Sequence, residues 1–313
     1  MGRLRWNPFL GEWVIVTPKR ATRPFQEEDQ VCPFCPGGTE TKGDWQVLTL
    51  DNLYPPLSPD SGPIPIDESI VMDAPAYGYC KIILLSRDHN EQIEDMNDEQ
   101  LELIFREYLD VFKELSNKKG IEYVVQFENR GRAIGVSLDH PHAQVYALPF
   151  VPPRLAKELE QSRKFWEKED TCLVCKMLEN ELKSLESRVI NETNNFVSLV
   201  PFSARLPYEV HIYPRKHVSS LEELENNLLE FGQVIQDVVR RYSNVFEELA
   251  YVMVFHPRPS TGEHTHWHFH VEFYPPWRDR TRLKYLAGIE LGAGTYTNDS
   301  IPEEIAEELR EAL

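Results

Sequence analysis

Long apolar runs and clusters of basic residues are both missing from this 313-residue sequence. The polar start MGRLRWNPFLGEW also lacks the apolar core of a signal peptide. Acidic residues outnumber basic ones by 51 to 33, which gives a formal net charge of −18. We therefore expect a cytoplasmic protein that binds neither membranes nor nucleic acid. A phosphorylated small molecule can still be a ligand, because a pocket needs only a few local donors.

Cysteine is scarce as well, and its placement is informative. Four of the five cysteines form two CxxC pairs, CPFC at Cys32 and Cys35 and CLVC at Cys172 and Cys175. In a reducing compartment such pairs indicate metal or redox chemistry rather than structural disulfides. Redox chemistry is the weaker interpretation, because neither pair opens an obvious helix of a thioredoxin-like unit. A tetrahedral zinc ion would need two further ligands for each pair.

An internal repeat supplies those ligands. Each half of the sequence reads CxxC, strand, histidine, amphipathic helix, strand and HxH. His89 and His140 are 51 residues apart, and His217 and His268 have the same separation. The repeat predicts two closed, structural Cys2His2 zinc sites. Their ligands are Cys32, Cys35, His89 and His140 in the first half, and Cys172, Cys175, His217 and His268 in the second.

The elements between these motifs predict a duplicated α+β unit. Apolar stripes in residues 97–118 and 220–242 are typical of amphipathic helices. The second stripe is preceded by Ser220 and Glu223, which we interpret as a capping box. The apolar runs YVVQF, KIILL, FVSLV and YVMVF predict strands of a mostly antiparallel sheet. We expect the two halves to join near residues 150–170.

The segment HPHAQ is the strongest candidate for a catalytic site. In an extended chain His140, His142 and Gln144 would point to the same side. Pro141 fits an edge strand or the start of a strand, so a satisfied surface turn is the alternative interpretation. The segment by itself does not decide between a turn and a site.

With these motifs in place, the chain resembles the galactose-1-phosphate uridylyltransferase family of the histidine-triad superfamily. The resemblance runs nearly end to end and implies an α+β fold of two histidine-triad-like units, residues 1–160 and 161–313, with packed helices. It also implies a homodimer whose active sites lie near the subunit contact, with an N-terminal arm helping to build the pocket. The motifs that carry it are RWNPFLGEWVIVTPKRATRPF, FENRGRAIGVSLDHPHAQ, VPFSARLPYEVHIYPRKH and FYPP.

By resemblance, His142 is the nucleophile that forms a nucleotidyl-histidine intermediate, and Gln144 hydrogen-bonds the transferred phosphate. Neutral imidazole can attack phosphorus and later leave at pH 7, and a carboxamide donor stabilises charge without offering a competing proton. The resemblance also implies contacts with the nucleotide, its phosphates and the sugar. These candidates are Arg20, Arg23, Asn52, Asn129, Ser137, Lys284 and Glu290.

The second metal site has an alternative. Family members without the second CxxC pair hold a different metal at positions matching Glu158, His256, His270 and Glu272. Here Glu272 stands where those members have histidine, so two zinc ions are favoured. His264, in the tract HTHWHFH, is interpreted as part of an opportunistic metal-binding run.

Three functions are compatible with these motifs. The first is transfer of UMP from UDP-glucose to galactose 1-phosphate in a ping-pong reaction. The second is phosphorolysis of an ADP-glucose-type nucleotide sugar or a dinucleoside polyphosphate through the same intermediate. The third is a zinc-stabilised binding module without turnover, which the intact HPHAQ argues against. The stretch GAGTYTN beyond Glu290 departs from the best-known uridylyltransferases and leaves the sugar and the base open.

Overall fold

The computed structural model describes residues 2–18, 32–61, 70–136, 138–184 and 187–313. Three of the predicted substrate contacts lie outside these ranges, namely Arg20, Arg23 and Ser137. In the described part of the chain, no helix is both long enough and apolar enough to cross a membrane.

Both halves contain helices and runs of consecutive strands, which confirms the predicted α+β class. The strands found in the described ranges are β1 (Arg3–Asn7), β2 (Glu12–Val16), β3 (Leu48–Asp51), β4 (Asp73–Pro75), β5 (Tyr79–Leu84), β6 (Tyr123–Arg130), β7 (His142–Leu148), β8 (Val189–Glu192), β9 (Phe196–Leu199), β10 (Val210–Pro214), β11 (Tyr251–His256) and β12 (His270–Tyr274). The α-helices found there are α1 (Asp98–Ser116), α2 (Pro153–Glu169), α3 (Leu173–Glu181), α4 (Leu228–Val245), α5 (Gly288–Ala293) and α6 (Pro302–Glu311).

One large antiparallel sheet contains strands from both halves. Among the described residues it has nine strands in the order β3-β5-β7-β6-β11-β12-β10-β9-β8, and a separate small sheet has the order β2-β1-β4. The halves meet where β6 pairs with β11, with Arg130 opposite Tyr251 and Gln126 opposite Phe255. The order β5-β7-β6 in the first half mirrors β10-β12-β11 in the second. The predicted duplication and the antiparallel sheet are thus confirmed.

Helices α1 and α4 pack side by side on one face of the large sheet. Phe105 of α1 meets Phe231 of α4 edge to face, with ring centroids 5.2 Å apart. A Cβ atom at position 232 would lie 2.7 Å from the Phe105 ring, so Gly232 permits this close approach. The apolar stripes of the two helices therefore form one continuous core with the inner face of the sheet.

The predicted capping box at the second helix is wrong. The Ser220 side chain makes no capping hydrogen bond, and Glu223 instead accepts hydrogen bonds from the main-chain N–H and the hydroxyl of Ser219. A 3-10 helix spans Leu221–Asn227, and α4 begins only at Leu228. The Glu223 carboxylate is hydrogen-bonded to Ser219, four residues before it. It therefore does not cap an α-helix that starts at Ser220.

Helices α2 and α3 connect the halves. Helix α3 begins directly after Cys172, so the second CxxC pair opens a helix. The helix follows α2 rather than a strand, so the arrangement still differs from a thioredoxin-like βαβ unit. The boundary proposed at residue 160 lies within α2.

The other face of β5 and β7 is covered by N-terminal segments. The small sheet contributes an apolar cluster around Leu4 and Ala74, with Cys80 of β5 beneath it. A second cluster contains Cys32, Phe34, Trp45, Ile82 and Leu84. The second cluster packs the first CxxC pair against β5, the strand that pairs with β7.

Candidate active site and metal-binding groups

Side chains of the HPHAQ segment that lie in strand β7 alternate between the two faces of the sheet. Ala143 and Val145 belong to the core formed with α1, so His142 and Gln144 lie on the opposite face. His140 precedes the strand, because Pro141 has no N–H to donate to the ladder. The common face expected from the sequence therefore holds for His142 and Gln144, whereas His140 takes a separate position.

The His142 imidazole is held in one tautomer. Its Nδ1 lies 2.8 Å from the main-chain oxygen of His140, a distance at which Nδ1–H donates to that carbonyl. This tautomer puts the lone pair on Nε2. The Phe34 ring packs edge-on against the imidazole with centroids 5.4 Å apart, and the His142 side chain is buried. An imidazole oriented in this way is suited, in its neutral form, to attack an electrophilic phosphorus atom.

A cavity of about 220 Å³ adjoins His142, and Asn129 and Glu128 of β6 are among its lining residues. Gly131 shapes the loop beside it, since its φ of +86° and a contact of 2.4 Å between an added Cβ and the Leu249 carbonyl exclude a side chain. The buried Glu128 carboxylate accepts a hydrogen bond from Tyr251 at 3.0 Å, and burial raises its pKa to about 7. Glu128 thus ionises near neutral pH beside the candidate site.

The first group of potential metal ligands contains Cys32, Cys35, His89 and His140. One ligand atom from each lies within 4.8 Å of the others. The Cys35 sulfur is 3.6 Å from His89 Nδ1 and 3.7 Å from His140 Nδ1. A tetrahedral zinc ion requires sulfur–nitrogen separations of about 3.6 Å. His140 Nε2–H donates to the Ser86 carbonyl at 2.9 Å, which leaves Nδ1 to face the thiols, so the residues fit a zinc ion.

The second group has the same construction in the C-terminal half. It consists of Cys172, Cys175, His217 and His268, with ligand atoms again within 4.8 Å of one another. His268 Nδ1 lies 3.5 Å from each sulfur, and Cys175 is 3.7 Å from His217 Nδ1. His268 Nε2–H donates to the Pro214 carbonyl at 2.9 Å, as His140 does to Ser86. The thiol of Cys175 hydrogen-bonds Cys172 and lowers the pKa of the Cys172 thiol, which favours the thiolate that a metal binds.

A third group brings together the four residues of the alternative metal site. Glu158, His256, His270 and Glu272 each place a ligand atom within 4.8 Å of the others. His256 Nδ1 lies 3.0 Å from both His270 Nε2 and a Glu158 oxygen. Arg154 donates to the second oxygen of Glu158 at 2.8 Å and to Glu272. The two alternatives for a second metal are therefore not exclusive, because this chain presents both ligand sets.

Comparisons with known proteins show the family to which the chain belongs. The family model of the N-terminal domain of galactose-1-phosphate uridyl transferase matches residues 2–152, and that of its C-terminal domain matches residues 158–313. The chain belongs to the galactose-1-phosphate uridylyltransferase family. A relative from Thermotoga maritima, galactose-1-phosphate uridylyltransferase, is 40% identical over 99% of this chain and 98% of its own length.

Solved structures of this family share the fold. A structure of a uridylyltransferase is similar with a TM-score of 0.90 and 35% identity, covering 100% of this chain and 98% of that one. An ADP-glucose phosphorylase from Arabidopsis thaliana with bound ADP-glucose has a TM-score of 0.78 and 26% identity, covering 99% of both chains.

The predicted substrate contacts among the described residues fall into three separate regions. Asn129 lines the cavity beside His142, and Asn52 follows the edge strand β3 and lines a cavity of about 370 Å³. Lys284 and Glu290 lie 3.7 Å apart beyond β12, and Lys284 also pairs with Asp299 at 2.9 Å. Between described residues, no hydrogen bond or ion pair links Lys284 or Glu290 to β7.

Some residues at these sites were not identified from the sequence. Arg154 joins the two carboxylates of the third metal-binding group, and Tyr146 donates a hydrogen bond to Gln144 at 3.4 Å. Glu128 is the buried acid beside the candidate nucleophile. Tyr146 follows Gln144 by two residues, so strand alternation could have indicated it. The positions of Arg154 and Glu128 depend on packing between distant segments and have no comparable signal.

Proposed function

We propose that the protein is a UDP-glucose–hexose-1-phosphate uridylyltransferase that works through a covalent uridylyl-His142 intermediate. The observation that carries this proposal is the tautomer of His142. Nδ1–H is bonded to the His140 carbonyl at 2.8 Å, so Nε2 has the lone pair that can bond to phosphorus. Gln144 lies on the same face, two residues along the strand, where its carboxamide can contact the transferred phosphate.

In the first half-reaction, Nε2 of His142 attacks the α-phosphorus of UDP-glucose. A phosphorus–nitrogen bond forms, and the bond from this phosphorus to the bridging oxygen breaks with release of glucose 1-phosphate. In the second half-reaction, a phosphate oxygen of galactose 1-phosphate attacks the same phosphorus. The electron pair of the phosphorus–nitrogen bond returns to Nε2, and UDP-galactose leaves. The His140 carbonyl balances the positive charge that the ring acquires while it is uridylylated.

We further propose that each Cys2His2 group holds one structural zinc ion. Zinc, when bound, supplies four bonds that tie the CxxC segment to the two histidines, and it leaves no open position for substrate. His140 would then be fixed at its Nδ1, and its carbonyl in turn orients His142. The four thiols need a reducing compartment to remain metal ligands, which supports a cytoplasmic location. Two units joined through α2, divided near residue 160, agree with this duplicated arrangement.

The choice of nucleotide and acceptor is tested by separating the half-reactions. Protein incubated with UDP-glucose labelled at the α-phosphate should retain label, and galactose 1-phosphate should discharge it as UDP-galactose. A phosphorylase would instead take label from ADP-glucose and release it to inorganic phosphate as ADP. Labelling by ADP-glucose but not by UDP-glucose would contradict the uridylyltransferase assignment and favour the phosphorylase.

We propose that the active enzyme is a homodimer in which one subunit supplies Lys284 and Glu290 to His142 of its partner. Two features support this arrangement. Among the described residues, no hydrogen bond or ion pair links either residue to β7, and the segment around them exposes large apolar side chains. Tyr285 and Leu291 are 75% and 76% exposed, as is typical of surfaces that become buried in a complex. The N-terminal arm that contains Arg20 and Arg23 is proposed to line the same shared pocket.

Complementation between inactive variants tests the shared site. His142→Ala and Lys284→Ala subunits, co-expressed in equal amounts, should form mixed dimers that each contain one intact site. About a quarter of the wild-type activity should then return, since half of the dimers are mixed. Activity no higher than the mean of the two parent variants, or a monomeric mass in solution at full activity, would contradict the shared site.

A further inference from the structure

Tyr146 contacts the candidate phosphate-binding residue from within the same strand. Its hydroxyl lies 3.4 Å from Oε1 of Gln144 and donates to that oxygen. The two residues are two positions apart on β7, so their side chains stand on the same face. Phe127 of β6 is the cross-strand neighbour of Gln144 and packs against the Tyr146 ring with centroids 5.2 Å apart.

The ring of Tyr146 is held on several sides. It packs against the apolar cluster that includes Leu4 and Leu57, and its cross-strand neighbours are Cys80 on β5 and Val125 on β6. The interplanar angle of 79° with Phe127 is the edge-to-face arrangement that aromatic pairs favour. The position of the hydroxyl is therefore determined by packing of the ring.

We propose that Tyr146 is a positioning residue that orients the carboxamide of Gln144 for phosphate transfer. The inference rests on the proposed function and adds a residue to its machinery. A glutamine side chain can present either its oxygen or its N–H groups to a neighbour. With Oε1 bonded to the Tyr146 hydroxyl, the N–H groups are the part that faces His142 and the transferred phosphate. Donation to Oε1 also polarises the amide, which strengthens its N–H groups as donors.

The chemical requirement explains why the orientation matters. Negative charge develops on the phosphate oxygens during transfer, and N–H donors stabilise it, whereas a carbonyl oxygen would repel it. If the Gln144 carboxamide were rotated by 180° in part of the molecules, the rate of transfer would fall and the binding of the nucleotide sugar would be unchanged. A role in folding alone would instead change the melting temperature and the zinc content.

A double-mutant cycle in single-turnover kinetics tests the coupling between the two residues. Tyr146→Phe should slow uridylylation by UDP-glucose about 5- to 10-fold, as expected for one neutral hydrogen bond, with the KM for UDP-glucose changed less than about 2-fold. Gln144→Ala should slow it by roughly 10²- to 10³-fold. In the Gln144→Ala background, Tyr146→Phe should have an effect smaller than about 2-fold, because the group it orients is gone.

Tyr77→Phe is the matched control. The Tyr77 hydroxyl donates to the Lys119 carbonyl at 2.6 Å, away from β7, so its loss should leave the uridylylation rate unchanged. A wild-type rate in Tyr146→Phe, an undiminished effect in the Gln144→Ala background, or loss of zinc in Tyr146→Phe would each overturn the positioning role. Failure of the wild-type protein to form any uridylyl-enzyme is a different result. It would refute the proposed function itself, and the role of Tyr146 with it.

Discussion

His142→Ala is expected to lower the rate of uridylyl transfer by at least about 10⁴-fold while the fold and the zinc content persist. The reason is that the substitution removes the only atom proposed to bond to phosphorus. The ligands of both Cys2His2 groups, including the neighbouring His140, stay in place. Steady-state rates, circular dichroism and elemental analysis of the same preparation measure the three quantities. His264→Ala is the matched control, because the only side-chain hydrogen bond of His264 among the described residues goes to the Thr261 carbonyl, away from both Cys2His2 groups.

The intermediate provides a second measurement of the same prediction. Wild-type protein incubated with labelled nucleotide sugar and no acceptor should carry label that is labile in acid and stable in base, as a phosphoramidate is. His142→Ala should carry none. His142→Gly should regain transfer when a uridylyl-imidazole is added, because the free ring replaces the missing side chain. Label that remains on His142→Ala would show that HPHAQ is not the covalent site.

Cys32→Ser is expected to lower the free energy of unfolding by several kcal/mol and to remove one zinc ion per chain. A structural zinc contributes its binding energy to folding, and serine is a poor ligand for it. The loss should lower the melting temperature by roughly 10 °C or more for a chain of this size. Activity should fall as well, since Phe34 lies between the two cysteines and packs against the rings of both His140 and His142.

Cys80→Ala separates this effect from the loss of any buried thiol. Cys80 lies in an apolar cluster, outside the groups of potential ligands found among the described residues, so both zinc ions should remain in that variant.

The purified wild-type protein should contain two zinc ions per chain. One or none would contradict the proposal for the Cys2His2 groups. A third bound divalent ion that is lost in Glu158→Gln would assign it to the Glu158, His256, His270 and Glu272 group.

The elements of the fold were largely predictable because local periodicity reports burial. The apolar stripe of α1 was recognised from the sequence, and its residues Leu101, Phe105 and Phe112 are fully buried. The start of α4 was not predictable in the same way. Ser220 and Glu223 have the spacing of a capping box, but the carboxylate bonds Ser219, and the choice between the two serines depends on the local backbone path.

The candidate site, too, has features that were predictable from the sequence and features that were not. The 51-residue separation of the paired histidines and the two CxxC pairs indicated two ligand sets, because the repeat brings equivalent residues to equivalent places in each half. The role of Glu272 could not be judged from its residue type. A glutamate in place of histidine suggested a lost metal site. In the folded chain, however, Glu272 accepts a hydrogen bond from Arg154 and lies among three further potential ligands.

The sequence by itself determined the available chemistry and its spacing: the thiol pairs, the equally spaced histidines and a nucleophile candidate followed by a carboxamide. Only the tertiary structure decided that Tyr146 bonds Gln144, that Glu158, His256, His270 and Glu272 form a third group of potential metal ligands, and that Lys284 pairs with Glu290. Periodicity reports which side of a helix or strand is buried. Contacts between elements depend on strand order and register, which are set by packing of the whole core and by residues far apart in the chain.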